Sequence, residues 1–153
     1  MAKIIGTKAI QVFDSRGIPT VSCKVFLDNG SYGIAMVPSG ASTGSKEALE
    51  LRDEANKYHG KGVQDAVQNI NDILGPLIID IDPNNQEEID KILIDLDSTE
   101  NKSKLGANTL LAVSLANAKS SANNNSNSLY KNINLLDQYI MPVPMMNIIN
   151  GGS

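Results

Sequence analysis

The chain has 153 residues, 41% hydrophobic and 20% charged, enough for one domain with a real core, or one domain plus a piece of another. A formal net charge of −4, a pI near 4.9 and no stripe of clustered Lys and Arg argue against a nucleic-acid surface, and 4% aromatic residues argue against base stacking. No apolar run of about 18 residues predicts a membrane span, Lys3-Ile4-Ile5-Gly6 lacks the apolar region and cleavage site of a signal peptide, and the single Cys23 forms no internal disulfide.

The first third of the chain reads as β-structure. Ile10 and Val12 alternate with Gln11; Val21, Cys23, Val25 and Leu27 alternate with Ser22, Lys24 and Phe26; Tyr32 to Val37 makes a third strand. Asp28-Asn29-Gly30 supplies a tight turn, so an antiparallel meander with one apolar face is expected. Cys23 falls in an alternating apolar stretch, where a buried reduced thiol fits a reducing cytosol. The period then becomes helical. Lys46 to Asp53 is expected as a short helix N-capped by Ser45, and Val63, Val67, Ile70, Ile73, Leu74 and Leu77 recur at three- and four-residue spacing on a second. A third carries Ile89, Ile92, Leu93 and Leu96 on one face and opens on Asn85 with Glu88 at capping-box spacing. A fourth, from Asn108 to Ala122, lines up Leu111, Leu115 and Ala118. Strands first and helices after imply an α+β fold: a three-stranded antiparallel meander followed by about four helices that cover one sheet face. Asn123 to Ser128 is a polar surface connection that ends the fourth helix, and Pro142 to Asn150 has the apolar look of a buried strand.

Between the third strand and the helical region lies Val37-Pro38-Ser39-Gly40-Ala41-Ser42-Thr43-Gly44, with two glycines, three hydroxyls and no charge. Composition alone favours a plain turn. The functional reading is that Gly40 and Gly44 let the backbone approach a ligand, with amides and hydroxyls aimed at negative charge or a divalent ion. Other candidates are weaker. His59 is the only histidine, without ligand-spaced neighbours, and reads as a surface residue. Glu87, Glu88, Asp90, Asp95 and Asp97 read as the solvated side of an amphipathic helix. Lys102-Ser103-Lys104-Leu105-Gly106 lacks the glycine and hydroxyl residue of a phosphate-binding loop, and Arg16 can pair with Asp14 or brace a neighbouring subunit, the structural role being favoured.

Several blocks follow one another in a telling order. They are Asp14-Ser15-Arg16-Gly17 with Pro19-Thr20-Val21, the octapeptide 37–44, Glu47 to Asp53, Gly60 to Val63, Leu96-Asp97 with Thr99, Asn101 to Asn108, and Pro142-Val143-Pro144 to Asn150-Gly151-Gly152-Ser153. In order and rough spacing they are those of enolase, phosphopyruvate hydratase, and the chain resembles that family from end to end. The resemblance implies that residues 1–126 are the family's N-terminal α+β domain and 127–141 a connection. Residues 142–153 would then be the first strand of the catalytic β/α barrel and the start of a second mobile loop, cut before its histidine. A strand without its neighbours leaves backbone groups unpaired and apolar side chains in water, which favours disorder or self-association.

The same resemblance implies the chemistry. Enolase reversibly dehydrates 2-phosphoglycerate to phosphoenolpyruvate in glycolysis, using a lysine base, a glutamate and two Mg²⁺ ions. Those groups, the metal carboxylates and the phosphate-binding arginine belong to the barrel, so no catalytic residue is expected here and the chain alone is expected to be inactive. What remains is the first lid loop, Ser39, Gly40, Ala41, Ser42, Thr43 and Gly44. In it Ser42 matches the serine that reaches the second Mg²⁺ through its backbone and side-chain oxygens, and the backbone at Gly40 and Ala41 closes over the substrate carboxylate. Ser42 offers no negative charge and cannot hold the ion alone. The family further implies a cytoplasmic homodimer, with surface or secreted side-roles, and neither nucleic acid nor a membrane span. The sequence departs from the family at Ile18, Ser22, Lys24, Glu54-Ala55-Asn56 and Ser98; the changes at Ser22 and Lys24 remove an acidic residue that pairs across the dimer. Two functions are therefore carried: the N-terminal part of a glycolytic enolase, or a non-catalytic interaction module from a truncated or divergent paralogue.

Overall fold

The computed structural model describes residues 1–40, 44–53, 57–134, 138–146 and 148. The alternating segments form three antiparallel strands, β1 (Ile4–Phe13), β2 (Pro19–Leu27) and β3 (Tyr32–Val37), in the order β1-β2-β3. In register, Ala9, Cys23 and Ala35 form one cross-strand row and Ile10, Ser22 and Met36 the next. Successive rows point to opposite faces. The first row is buried, whereas Ile10 and Met36 are 51% and 56% exposed. Ile10 was expected on the apolar face. A register irregularity between Ile4 and Gly6 shifts the phase, so that Ile4 and Ala9, five residues apart, both enter the core.

Three longer helices cover the other face. α1 is built of Gln64–Asn69, a π-helical turn Ile70–Leu74 and a last turn Gly75–Leu77. Its buried residues Ala66, Ile70 and Leu74, continued by Ile78, are four apart. The wider i→i+5 winding keeps such a spacing in line better than an α-helix does, and it precedes Pro76, which has no amide to give a helical bond. Ile73 and Leu77, expected on the packed face, are exposed instead. The π turn brings Asn71 to the edge of β1, where its side chain accepts from the Ala9 amide at 2.8 Å and donates to the Ala9 carbonyl at 3.1 Å. That amide covers part of the free strand edge.

α2 (Gln86–Asp97) buries Ile89 and Leu93 as its periodicity requires. Its first turn lacks a side-chain cap to the backbone; Asn85 Nδ2 donates to Glu88 Oε2 at 3.1 Å, so the capping-box spacing yields a side-chain pair. α3 (Ala107–Asn124) crosses the sheet, but not on the expected stripe. Leu111 is exposed, and the buried positions are small or polar: Ala112, Val113, Ala116, Asn117 and Ser120. The cause is Gly33 on β3. A Cβ there would collide with the Ala116 carbonyl and the Ser120 amide, so helix and strand approach backbone to backbone and only small side chains fit between them.

The helix expected over Lys46–Asp53 is absent. After a turn in which Glu47 N donates to Gly44 O at 3.1 Å, residues 48–53 run as an irregular strap whose polar groups all go to distant partners. Leu49 N donates to Asn101 O and Leu49 O accepts from Ala107 N, each at 2.7 Å. Asn108 brackets the Leu51 backbone, accepting at 2.9 Å and donating at 3.0 Å. Asp53 accepts from Gln64 N at 2.9 Å and Asp65 N at 3.0 Å, capping α1 from eleven and twelve residues upstream. Tertiary bonds have replaced the i→i+4 bonds that a helix would need.

Asp97, expected on the solvated side of α2, is fully buried at its last residue. Its carboxylate accepts from Leu105 N at 2.8 Å, from Thr99 N at 3.1 Å and from the Thr99 hydroxyl. Burial pushes its pKa up, but these bonds and the charge of Lys102 outweigh that and hold it below 3.8. Ser98, where the family usually has glycine, sits in the left-handed region at φ 56° and lets the chain turn back.

The asparagine tract is exposed as expected but is tied down. Asn123 Nδ2 donates to Tyr32 O at 2.6 Å and Asn124 Oδ1 accepts from Asn29 at 2.8 Å. A short helix, α4 (Leu129–Ile133), follows. Beyond it the described part of 142–150 forms no strand, and Val143, Met145, Met146 and Ile148 are exposed. Among the described residues no helix is long and apolar enough to cross a membrane. Cys23 is a buried free thiol whose pKa burial pushes up to about 12.

Candidate functional site

The loop after β3 is rooted by two arginines from different parts of the chain. The first comes from the connection between β1 and β2. There Asp14 accepts from Ile18 N at 2.9 Å and Arg16 N at 2.8 Å, and Gly17 takes a φ of 73° that closes the turn. The Ile18 bond, then the Arg16 amide and charge, hold the Asp14 pKa below 3.8 against the raising effect of desolvation. Arg16, 3.5 Å from Asp14, is thereby aimed at the loop, and its Nη2 donates to Ser39 O at 2.6 Å. The structural alternative for Arg16 is thus seen, with a second partner that was not foreseen.

The second arginine comes from the strap. Arg52 Nη1 donates to Pro19 O at 2.7 Å and Lys61 O at 2.8 Å, Nε to Glu50 at 3.1 Å, and Nη2 to Glu50 at 2.8 Å and to the Ser39 hydroxyl. The Ser39 hydroxyl in turn donates to Glu50 Oε1 at 2.7 Å. One step back, the Thr20 hydroxyl donates to Val37 O, so the end of β3 is fixed as well.

Of the expected lid residues, Ser39 is half-buried in this network while Gly40 and Gly44 are exposed. They border a cleft of about 500 Å³ between loop and strap, floored by Leu49, Asn108 and Leu111. Ala41, Ser42 and Thr43 lie outside the described residues, as do Glu54-Ala55-Asn56 and Asn150 to Ser153. The structure therefore brings Ser39 and Gly40 to one rim and leaves the role of Ser42 and the substrate contact of Ala41 as expectations. Among the described residues, no three His, Cys, Asp or Glu side chains gather as a metal cage. His59 is exposed, and Lys102 and Lys104 donate to Thr99 O and Leu96 O at 2.9 and 3.0 Å. Glu50 and Arg52 were noted in the sequence only as part of a block; an adjacent Arg-Asp pair after an apolar alternation was the available signal.

The description "Enolase, N-terminal domain" belongs to the family model that matches residues 4–133. The chain belongs to the enolase family. Relatives named enolase include that of Methanococcus vannielii, 56% identical over 145 residues, which cover 95% of this chain and 34% of the relative. The enolase of Corynebacterium kroppenstedtii is 48% identical over all 153 residues, 36% of its length, and that of Mycoplasmoides gallisepticum 53% identical over 151 residues, 32% of its length. The chain thus spans about a third of the length of the enolases it matches. The α+β domain with its rooted loop is the part of an enolase that these coordinates contain.

Proposed function

We propose that this chain is the N-terminal part of a phosphopyruvate hydratase that interconverts 2-phosphoglycerate and phosphoenolpyruvate, and that it contributes the lid loop 37–44 and subunit contacts. The observation that carries this reading is a loop of hydroxyls and glycines held at Ser39 by Arg16, Arg52 and Glu50, within a chain that matches enolases along its whole length but covers only a third of them. In this proposal Ser42 would bring its carbonyl and hydroxyl oxygens to Mg²⁺, for which hard, partly hydrated oxygen coordination is suited. When bound, Mg²⁺ supplies electrostatic stabilisation to the charge that develops on the substrate. A neutral serine gives no charge, so the carboxylate ligands, the base and the acid would come from the remaining two-thirds. Gly40 and Ala41 would close over the substrate carboxylate and exclude water.

Homodimer formation and a cytoplasmic setting are part of the same proposal. The open sheet face supports the first: Ile10, Ile34 and Met36 are exposed there, and Lys24 covers the Tyr32 ring at 3.6 Å. The buried unpaired thiol of Cys23 supports the second.

The test is direct. A polypeptide extended past Ser153 to the length of its relatives should form phosphoenolpyruvate from 2-phosphoglycerate with Mg²⁺, read as absorbance, and the 153-residue chain alone should not. Ser42→Ala in the extended polypeptide should lower turnover far more than thermal stability. Activity of the short chain, or equal losses of rate and stability, would contradict the proposal. A reading frame that stops at Ser153 would favour the interaction module.

A further inference from the structure

We propose that Arg52 is a positioning residue of the lid, acting through Ser39. The inference rests on the reading that loop 37–44 closes over substrate. A guanidinium has five N–H donors in a fixed plane. In Arg52 the five find five acceptor contacts: the Pro19 and Lys61 carbonyls from Nη1, Glu50 and the Ser39 hydroxyl from Nη2, and Glu50 again from Nε. Three separate segments, the start of β2, the 61–62 turn and the strap, are thus tied to one hydroxyl of the loop. Arg16 holds the carbonyl of the same serine at 2.6 Å from the other side. Ser39 is fixed to the sheet at both of its polar groups, so any loop displacement starts beyond it.

Ser42 lies three residues further on, within about 10 Å of extended chain. An error in the placement of Ser39 therefore passes almost undiminished to the residue that the proposed function assigns to the ion. Lysine cannot replace the arginine, because three donors on one flexible ammonium do not span carbonyls, carboxylate and hydroxyl in one plane. Ser39→Ala removes the same link from the loop side and leaves Arg52 its other four contacts.

The experiment uses the extended polypeptide with Arg52→Lys, Ser39→Ala and the double variant. Each single change should lower kcat about tenfold or more, with KM for 2-phosphoglycerate within about threefold. The Mg²⁺ concentration needed for half activity should rise. The double variant should be no slower than Arg52→Lys, because both act through one contact. Unchanged kcat in Ser39→Ala, or losses that multiply in the double variant, would overturn the proposal. If the unaltered extended polypeptide does not dehydrate 2-phosphoglycerate, the functional reading fails, and the 153-residue chain decides the positioning role separately. In it Arg52→Lys should speed amide hydrogen exchange at Gly40 and Gly44 about tenfold, with β2 amides unchanged. Equal exchange at Gly40 and Gly44 in both chains would overturn it.

Discussion

Asp97 illustrates how much one side chain organises. It ends α2, lies wholly inside the protein and collects two amides and a hydroxyl from the turn that follows, so the 98–106 loop is wound around a carboxylate. These bonds outweigh the cost of burial and depress its pKa below 3.8, so its contribution to stability is full above that value and is lost as the pH falls through the folded value. Asp97→Asn should cost about 1–3 kcal/mol, because an amide presents donors to donors. Denaturation followed at pH 7 and again between pH 4 and about 2 should show that loss at neutral pH, with a flatter acid limb for the variant. A steep, unchanged acid limb would assign the acid sensitivity to other carboxylates. In the sequence this residue shares the polar phase of α2 with Glu87 and Asp95. Periodicity reports the face of a helix and is blind to a chain that folds back over its end at Ser98.

Among the elements, the strap 48–53 does the work that a helix was expected to do, by other means. Asp53 caps α1 although Val63, the residue at the N-cap position, has no side chain for the task. Asp53→Ala should therefore destabilise the fold by about 1 kcal/mol, seen as a lower midpoint in urea. Asp65→Ala, an exposed first-turn change on the same helix, should stay within about 0.5 kcal/mol. Equal effects would remove Asp53 from the capping role. The strands were legible because alternation is a local property, and their extents agree with the expected ones in β2 and β3. α1 to α3 were legible in extent for the same reason. The strap was not, since Glu-Ala-Leu-Glu-Leu-Arg has strong helix propensity and its fate is set by Asn101, Ala107 and Asn108, about fifty residues away. The face of α3 was misread because Leu111 and Leu115 look like a core stripe until Gly33 shows that the sheet comes too close for them. Of the candidate site, the octapeptide was visible by composition and by family; its anchorage by Arg16, Glu50 and Arg52 depends on three turns meeting and is not written in any one window.

At the scale of the whole molecule, the core is closed without the last residues. Ile4, the central β2 side chains and those of α1 to α3 pack together, while Ile140, Met141, Val143 and Met145 contribute nothing buried. A chain ended after Asn134 should keep its melting temperature within about 2–4 °C, losing the edge contact of Tyr130 with Tyr139 and little else. It should also sediment as a smaller species at high concentration, because a row of exposed aliphatic and thioether groups has been removed. A collapse in melting temperature would show that residues 135–153 belong to the core. Cys23 has a different consequence. The chain has one cysteine, and it lies at the centre of the sheet with its thiol protonated at any ordinary pH. The protein is therefore already a cysteine-free background for labelling: a single Gly40→Cys substitution would give a spectroscopic probe on the loop alone, and its opening could be timed without altering any other residue.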